Sequence, residues 1–415
     1  MDLLHALEPL GVAAAPSTGP RRWWGGPLDV EGLAIDSVRL LGGAVRRLAG
    51  EAMTTSTMIA AAFDSFGRLR VDGRRPQAFA SLSRFAPAAD GWVRLHANYP
   101  QHRAALERAF GGDADRILAT IAELPALEVE ARAFAAGGVA AAVRTAAQWR
   151  ELAGRSMSLR VEPGDERTAV VGGTAGPLAG VRVLELCRVI AGPVAGRMLA
   201  ALGADVLRID PPHLPELIDQ HLDTGFGKRS VVADLGVAAD LAAAADVVLL
   251  GYRPGALAPA GLDAQALRRA HPHLVIGELD AWGDSGLSGR RGFDSIVQAA
   301  TGIADRYAHD GRPGALPVQA LDHAAGYSLA AGAIALLAAR RAGIVRISLA
   351  DLAVGLLARP VPDDPVEPLE DDPLHRADSP YGVLDYVAPP LVIAGHRLDF
   401  AAPHRYGTDA PSWHE

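Results

Sequence analysis

Asp322 is the one acidic residue of the stretch Gly314–Arg341, and its type and setting suit either a helix cap or a reactive carboxylate. His323 follows it directly, and sixteen uncharged, mostly small residues, Ala324 to Ala339, come next before Arg340. A carboxylate at such a point has two readings. It can cap the helix that the small-residue run predicts, because Asp is among the best N-caps. It can also attack a carbonyl carbon, because the positive end of a helix favours its ionised form. Both roles use the same location, so local spacing leaves both open.

Three upstream stretches carry groups suited to anions or purines. In Leu184–Pro212, Gly192-Pro193 opens a helix after a strand, and free helix N–H groups there suit an anion or a carbonyl oxygen. An ordinary strand–helix turn has the same local pattern. In Thr224–Leu235, Lys228 and Arg229 follow two glycines; adjacent cations suit a diphosphate or a 3′-phosphate. The plainer reading is a solvated surface pair. Lys228 is the sole lysine among 40 basic residues. In Val247–Asp263 a strand runs into Tyr252-Arg253-Pro254-Gly255, where an aromatic beside an arginine can stack on a purine, or Pro-Gly is simply a turn. No GxGxxG follows the first strand, and nucleotide-loop, HExxH and GxSxG motifs are absent. His271-Pro272-His273 is the nearest His pair, and its proline spoils presentation to a metal.

The elements that must hold these groups form two styles of sequence. Residues 1–160 read as a small α+β domain, with a helix in LAIDSVRLLGGAVRRLAG and a hairpin around Asp90-Gly91. Residues 161–176 are polar and Gly-rich and read as a linker. Residues 177–358 alternate short apolar strands with helices, which predicts an α/β fold: a Rossmann-like parallel sheet with helices on both faces and ligands beyond the strands' carboxyl ends. Residues 359–378 read as an acidic, Pro-rich linker, and 379–415 as an irregular wrap. The chain has 415 residues, a formal charge of −8 and a single cysteine, Cys187. That balance excludes a phosphate-neutralising nucleic-acid binder, and one cysteine excludes a disulfide framework or a zinc cluster. The start lacks a signal-peptide pattern, and the longest uncharged run falls short of a membrane span. The expectation is a cytoplasmic protein with no membrane partner.

Taken together, the stretches resemble the class III (CaiB/BaiF-type) CoA-transferase family, which also contains α-methylacyl-CoA racemase. The resemblance is carried by PLAGVRVLELCRVIAGPVAGRMLAALGADVLRIDPP, GKRSVVADL, ADVVLLGYRPGALAPAGLD, HPHLVIGELDAWGDSGLSGRRGFDSIVQAATG and PVQALDHAAGYSLAAGAIALL, five ordered blocks over about 175 residues. FAPAADGWVRLHANYP is similar to a hairpin of the family's small domain, which ordinary members carry in their second half. The order here therefore looks permuted within one protomer.

The resemblance implies a catalytic Asp322 that attacks an acyl-CoA thioester and passes through an aspartyl-CoA thioester to a carboxylic acid acceptor. It implies CoA contacts at Lys228, Arg229, Tyr252, Arg253, Arg291, Phe293, Ile190 and Ala191. It further implies coenzyme A as substrate, no permanently bound cofactor, a small organic acid as co-substrate, and a homodimer, interlocked in ordinary members. The chain departs from the family in four places. Phe293 stands where the racemase subgroup has a proton-transferring His, and Ile190 where formyl-CoA:oxalate enzymes have Gln. A Gly-rich loop of some members reads VDGRRPQAF here, and Gly251 replaces an Asn. A 2-methylacyl-CoA racemase, with His323 as the nearby base, and a non-catalytic acyl-CoA-binding paralogue are the alternatives.

Overall fold

A computed structural model describes residues 3–154, 159–168, 172–173 and 176–414. Its centre is a seven-stranded sheet. In chain order the strands are β1 (Leu159–Glu166), β2 (Arg182–Leu186), β3 (Asp205–Asp210), β4 (Lys228–Val232), β5 (Val247–Leu250), β6 (Val275–Asp280) and β7 (Arg341–Ser348). Their spatial order is β4-β3-β2-β5-β6-β7-β1. All neighbours are parallel except β7 and β1, which run antiparallel. The strands are apolar on both faces because both are covered. Val183, Val206 and Leu249 face one core, while their neighbours Leu184, Leu207 and Leu250 face the other.

The chain reverses direction across the sheet between β2 and β5, since β2 pairs with β3 on one side and β5 on the other. Carboxyl ends that diverge at such a switch leave a crevice, the usual ligand position in open α/β sheets.

Four helices matter for the site: α1 (Val30–Ala49), α2 (Ala191–Ala201), α3 (Asp294–Thr301) and α4 (Ala320–Ala338). Residues 320–337 of α4 are all buried, between the sheet and α1 and α2. The helix is long and apolar enough to cross a membrane, yet its whole surface is covered by protein. Small residues make this packing possible. A Cβ at Gly326 would stand 2.5 Å from the Ala191 carbonyl oxygen of α2, so α2 and α4 touch through backbone.

Three boundaries differ from the sequence expectation. Helix α1 does not belong to a separate small domain: fourteen of its twenty residues are buried, and they join the main core under the sheet. A helix apolar on most faces must be covered on most faces. The independent small core is narrower, formed by residues such as Leu82, Val93, Leu106, Ile117 and Val129. The expected linker at 161–176 begins inside β1, where Val161 and Glu162 pair with Val345 and Ile344; residues 169–171 and 174–175 of that stretch lie outside the described residues. The C-terminal stretch starts as a hairpin, His375–Ser379 with Gly382–Tyr386, that adds the strand Arg70–Val71 as its third member. Residues 360–374 carry no helix or strand.

Candidate active site

A cavity of about 400 Å³ occupies the switch crevice. Its walls come from the ends of β2 (Arg188, Val189), β5 (Gly251, Tyr252, Arg253) and β6 (Leu279, Asp280). Tyr99, Gln101 and His102 close it from the small core, and Arg291, Phe293 and Asp322 from the turns before α3 and α4. A second cavity of about 210 Å³ shares Val189, Phe293 and Asp322 with the first and is otherwise lined from the other side. Asp322 therefore stands where two cavities meet.

The cap reading of Asp322 does not hold. Gln319 takes the N-cap position of α4 without a side-chain bond, and Asp322 is the third residue of the helix. The first turn is capped from outside. The Asp294 carboxylate, at the head of α3, accepts the N–H groups of Leu321 and Asp322, the latter at 3.0 Å. Gln298, one turn on, donates to Asp294 and accepts the Leu316 N–H at 2.9 Å. This network fixes the turn that delivers Asp322.

The acidity of Asp322 runs opposite to the sequence expectation. The residue is 6% exposed, and burial pushes its pKa well above the ordinary carboxylate value; the charge of Asp294 adds to the shift. Burial raises Asp294 as well, to about 6. A helix terminus stabilises an anion by roughly 0.3–1 kcal/mol, under one pKa unit, whereas full burial shifts a carboxyl by as much as about 3–5 units. Desolvation wins. No ion pair to either carboxylate is found among the described residues. When it loses its proton, such a group is a stronger nucleophile than a solvated carboxylate.

Cations collect in the larger cavity. Arg188 lies over the Tyr99 ring at 4.7 Å. Burial and the neighbouring Arg253 charge lower the pKa of Arg291, and His102 falls to about 4 from burial and the charges of Arg291 and Arg188. Neither Arg253 nor Arg291 forms an ion pair with a carboxylate among the described residues. Positive groups that repel one another in a crevice make an anion site. Val189, between the cavities, holds φ at 70°, a costly conformation for a β-branched residue. Its N–H donates to Glu216 at 2.9 Å.

The expected CoA contacts divide. Tyr252, Arg253, Arg291 and Phe293 line the larger cavity with Asp322. Ile190 lines the smaller one, and Ala191 is packed beneath it against Gly326. Lys228 and Arg229 are elsewhere, which corrects their expected role. Lys228 is 1% exposed, and its Nζ donates to Glu185 at 2.6 Å and to the Pro193 carbonyl at 2.7 Å. The pair fits under α2 because position 196 is glycine: a Cβ there would lie on the Glu185 carboxylate. Arg229 grips both oxygens of Asp205 at 3.0 and 2.8 Å and the Ser412 carbonyl. A charged side chain engaged inside the protein cannot also neutralise a phosphate.

Arg188, His102, Asp294 and the aromatic wall of the smaller cavity were not legible as site residues. Asp294 had a signal, since it directly follows Phe293 in the same block. Tyr99, His102, Phe63, Phe66 and Phe79 had none, because long-range folding alone brings them to Asp322.

Residues 178–383 match the family described as CoA-transferase family III. Among curated proteins, a probable fatty acyl-CoA transferase of Mycobacterium tuberculosis is 35% identical over 209 residues, covering 44% of this chain and 53% of that protein. A succinate–glutarate CoA-transferase of Agrobacterium fabrum is 34% identical over 212 residues, with coverages of 44% and 53%. The chain thus spans about half the length of the curated relatives it matches. Among solved structures, a CaiB/BaiF family protein from Brucella suis aligns with a TM-score of 0.40 at 30% identity, covering 45% of this chain and 56% of that one.

Proposed function

We propose that this protein, whose residues 178–383 match CoA-transferase family III, moves CoA from an acyl-CoA donor to a carboxylic acid acceptor through an aspartyl-CoA thioester on Asp322. The observation that carries this reading is a buried carboxylate, without a countercation, at the junction of an arginine-lined cavity and an apolar one.

The chemistry runs in two halves. The ionised Asp322 oxygen bonds to the thioester carbonyl carbon, the C–S bond breaks, and CoA leaves as thiolate. The thiolate then bonds to the aspartyl carbonyl carbon of the mixed anhydride, and the donor acid departs as carboxylate. An acceptor carboxylate attacks the aspartyl-CoA thioester, and the same steps in reverse return acyl-CoA and free Asp322. Arg253 and Arg291, free of ion pairs among the described residues, suit the CoA phosphates by charge, and Tyr252 suits its purine by shape. Asp294 acts through Asp322: it is a positioning residue that holds the helix turn and adds to the burial that raises the nucleophile's pKa.

The closure of the site by Tyr99, Gln101 and His102 of the same chain fits a permuted order of segments, with one protomer supplying both walls. A homodimer remains part of this proposal, as does a cytoplasmic location. The racemase alternative is weakened by Phe293, which stacks on His96 with ring centroids 3.8 Å apart and holds no proton to transfer.

The test is intact-protein mass spectrometry after incubation with a panel of acyl-CoAs, with hydroxylamine as trap. Expected is a CoA-sized adduct and a hydroxamate on Asp322, both absent in Asp322→Ala, whose transfer rate falls by about 10⁴-fold or more. Acyl-CoA binding without any adduct would favour a non-catalytic binding protein.

A further inference from the structure

The two cavities that meet at Asp322 differ in charge, and that difference bears on which acid the site accepts. The smaller one is walled by Phe63, Phe66, Phe79 and Phe293; among the described residues neither Lys nor Arg lines it, and Arg94 lies behind the wall with its guanidinium 5.3 Å from the Phe79 ring. Its two imidazoles, His96 and His323, are buried, and burial pushes both below the ordinary histidine range, His96 to about 3. They bring no positive charge at neutral pH. The remaining titratable lining groups are the carboxyls of Asp64 and Asp322, both raised mainly by burial. Three buried nitrogens of the lining have no hydrogen-bond partner among the described residues, the Gln220 amide nitrogen and the Nδ1 atoms of His96 and His323, and all three are neutral at neutral pH.

Size narrows the choice. A dry apolar cavity of roughly 150 Å³ holds benzene. A cavity of about 210 Å³ therefore holds one ring with a carbon or two, or a chain of similar bulk. A second carboxylate on such a guest would sit among aromatic rings and carboxyl groups with no cation in the lining to contact it, Arg94 being separated from it by the Phe79 ring, and buried charge without a partner is strongly disfavoured.

Resting on the CoA-transfer reading, we propose that the acid reacting at Asp322 is a monocarboxylic acid with a compact apolar body, of the bulk of phenylacetate or hexanoate, and that dicarboxylic acids such as glutarate are rejected. This separates the chain from its succinate–glutarate relative, whose name states two dicarboxylates.

The experiment compares initial rates of CoA transfer from phenylacetyl-CoA, hexanoyl-CoA and succinyl-CoA on the full chain, with the Asp322 adduct followed by mass. Expected is a kcat/KM for the two apolar donors about 100-fold above that for succinyl-CoA. Placing a cation in the cavity with Gln319→Arg, at a half-exposed lining position, should narrow that ratio by about 10-fold. Equilibrium binding of phenylacetate against glutarate to the unaltered chain with CoA present gives the same comparison if the variant does not fold. Equal or better use of succinyl-CoA overturns this proposal and leaves CoA transfer standing. Failure of every CoA ester to modify Asp322 overturns CoA transfer itself, and this proposal with it.

Discussion

Two clusters of buried charge in this molecule are built on opposite principles. Around β3, the carboxylates of Asp210, Glu216 and Glu185 meet Arg208, Lys228 and, more distantly, Arg188. Each carboxylate has a cation, and Glu216 also accepts the Tyr99 hydroxyl at 2.6 Å, tying the small core to the sheet. At the start of α4, Asp322 and Asp294 lie together without an ion pair among the described residues; burial raises both, the charge of Asp294 adds to the rise at Asp322, and Arg94 only partly offsets the rise at Asp294. The first cluster is balanced, so its charges serve architecture. The second is unbalanced and therefore costs stability. Imbalance retained beside a cavity is what a reactive group requires, because a fully compensated carboxylate is a poor nucleophile.

Substitutions should move the two clusters in opposite directions. Arg208→Met leaves Asp210 and Glu216 buried without their main cation. The unfolding free energy should fall by about 3–5 kcal/mol, read from the urea midpoint. An unchanged midpoint would mean that the cluster does not hold the fold.

Asp322→Asn should do the reverse. The folded pKa of Asp322 lies above its unfolded value near 3.8. Its contribution to stability is therefore complete below about pH 4 and is lost as pH rises through the folded pKa. The amide cannot ionise, so the variant should be more stable than the unaltered chain at pH 8 and equally stable at pH 4, measured as Tm in the two buffers. Loss of stability at pH 8 would sink the idea that this carboxylate is held at a cost.

The smallest effect concerns Asp294. Asp294→Asn keeps an oxygen for the α4 N–H groups and removes the neighbouring charge. Activity that needs ionised Asp322 declines as pH falls, and this acid limb should move to lower pH in the variant. A limb that stays in place would assign the raised acidity threshold to burial alone.

Much of the fold was legible because it is local. The apolar runs at 182–186, 205–210, 247–250 and 275–280 alternate with helical spacing, and they are parallel strands in the structure. The ends of β2 and β5 carried the groups that reach the larger cavity, Tyr252 and Arg253 among them. What failed was the assignment of cations. Lys228-Arg229 and Tyr252-Arg253 look alike as short motifs, yet Lys228 lies within β4, under α2, and Arg253 lies beyond the end of β5. Lys228 opens β4 and its side chain turns into the core beneath α2, whereas a position past a strand's carboxyl end faces the crevice. The boundary near residue 160 failed for a related reason. Composition marks where style changes, but α1 is recruited across that boundary by the apolar face of α4.

The sequence by itself determined the strand–helix alternation, the position of the crevice at the strand ends and the arrival of Asp322 at a helix start. Periodicity and turn chemistry act over a few residues, so they are written into the order of amino acids. Tertiary structure decided what those residues became: Lys228 an internal partner of Glu185, Asp294 a cap for another helix, and Asp322 an acid raised instead of lowered. Those outcomes depend on burial and on neighbours distant in the chain. Desolvation outweighs a helix terminus, and its size is set only when the walls close.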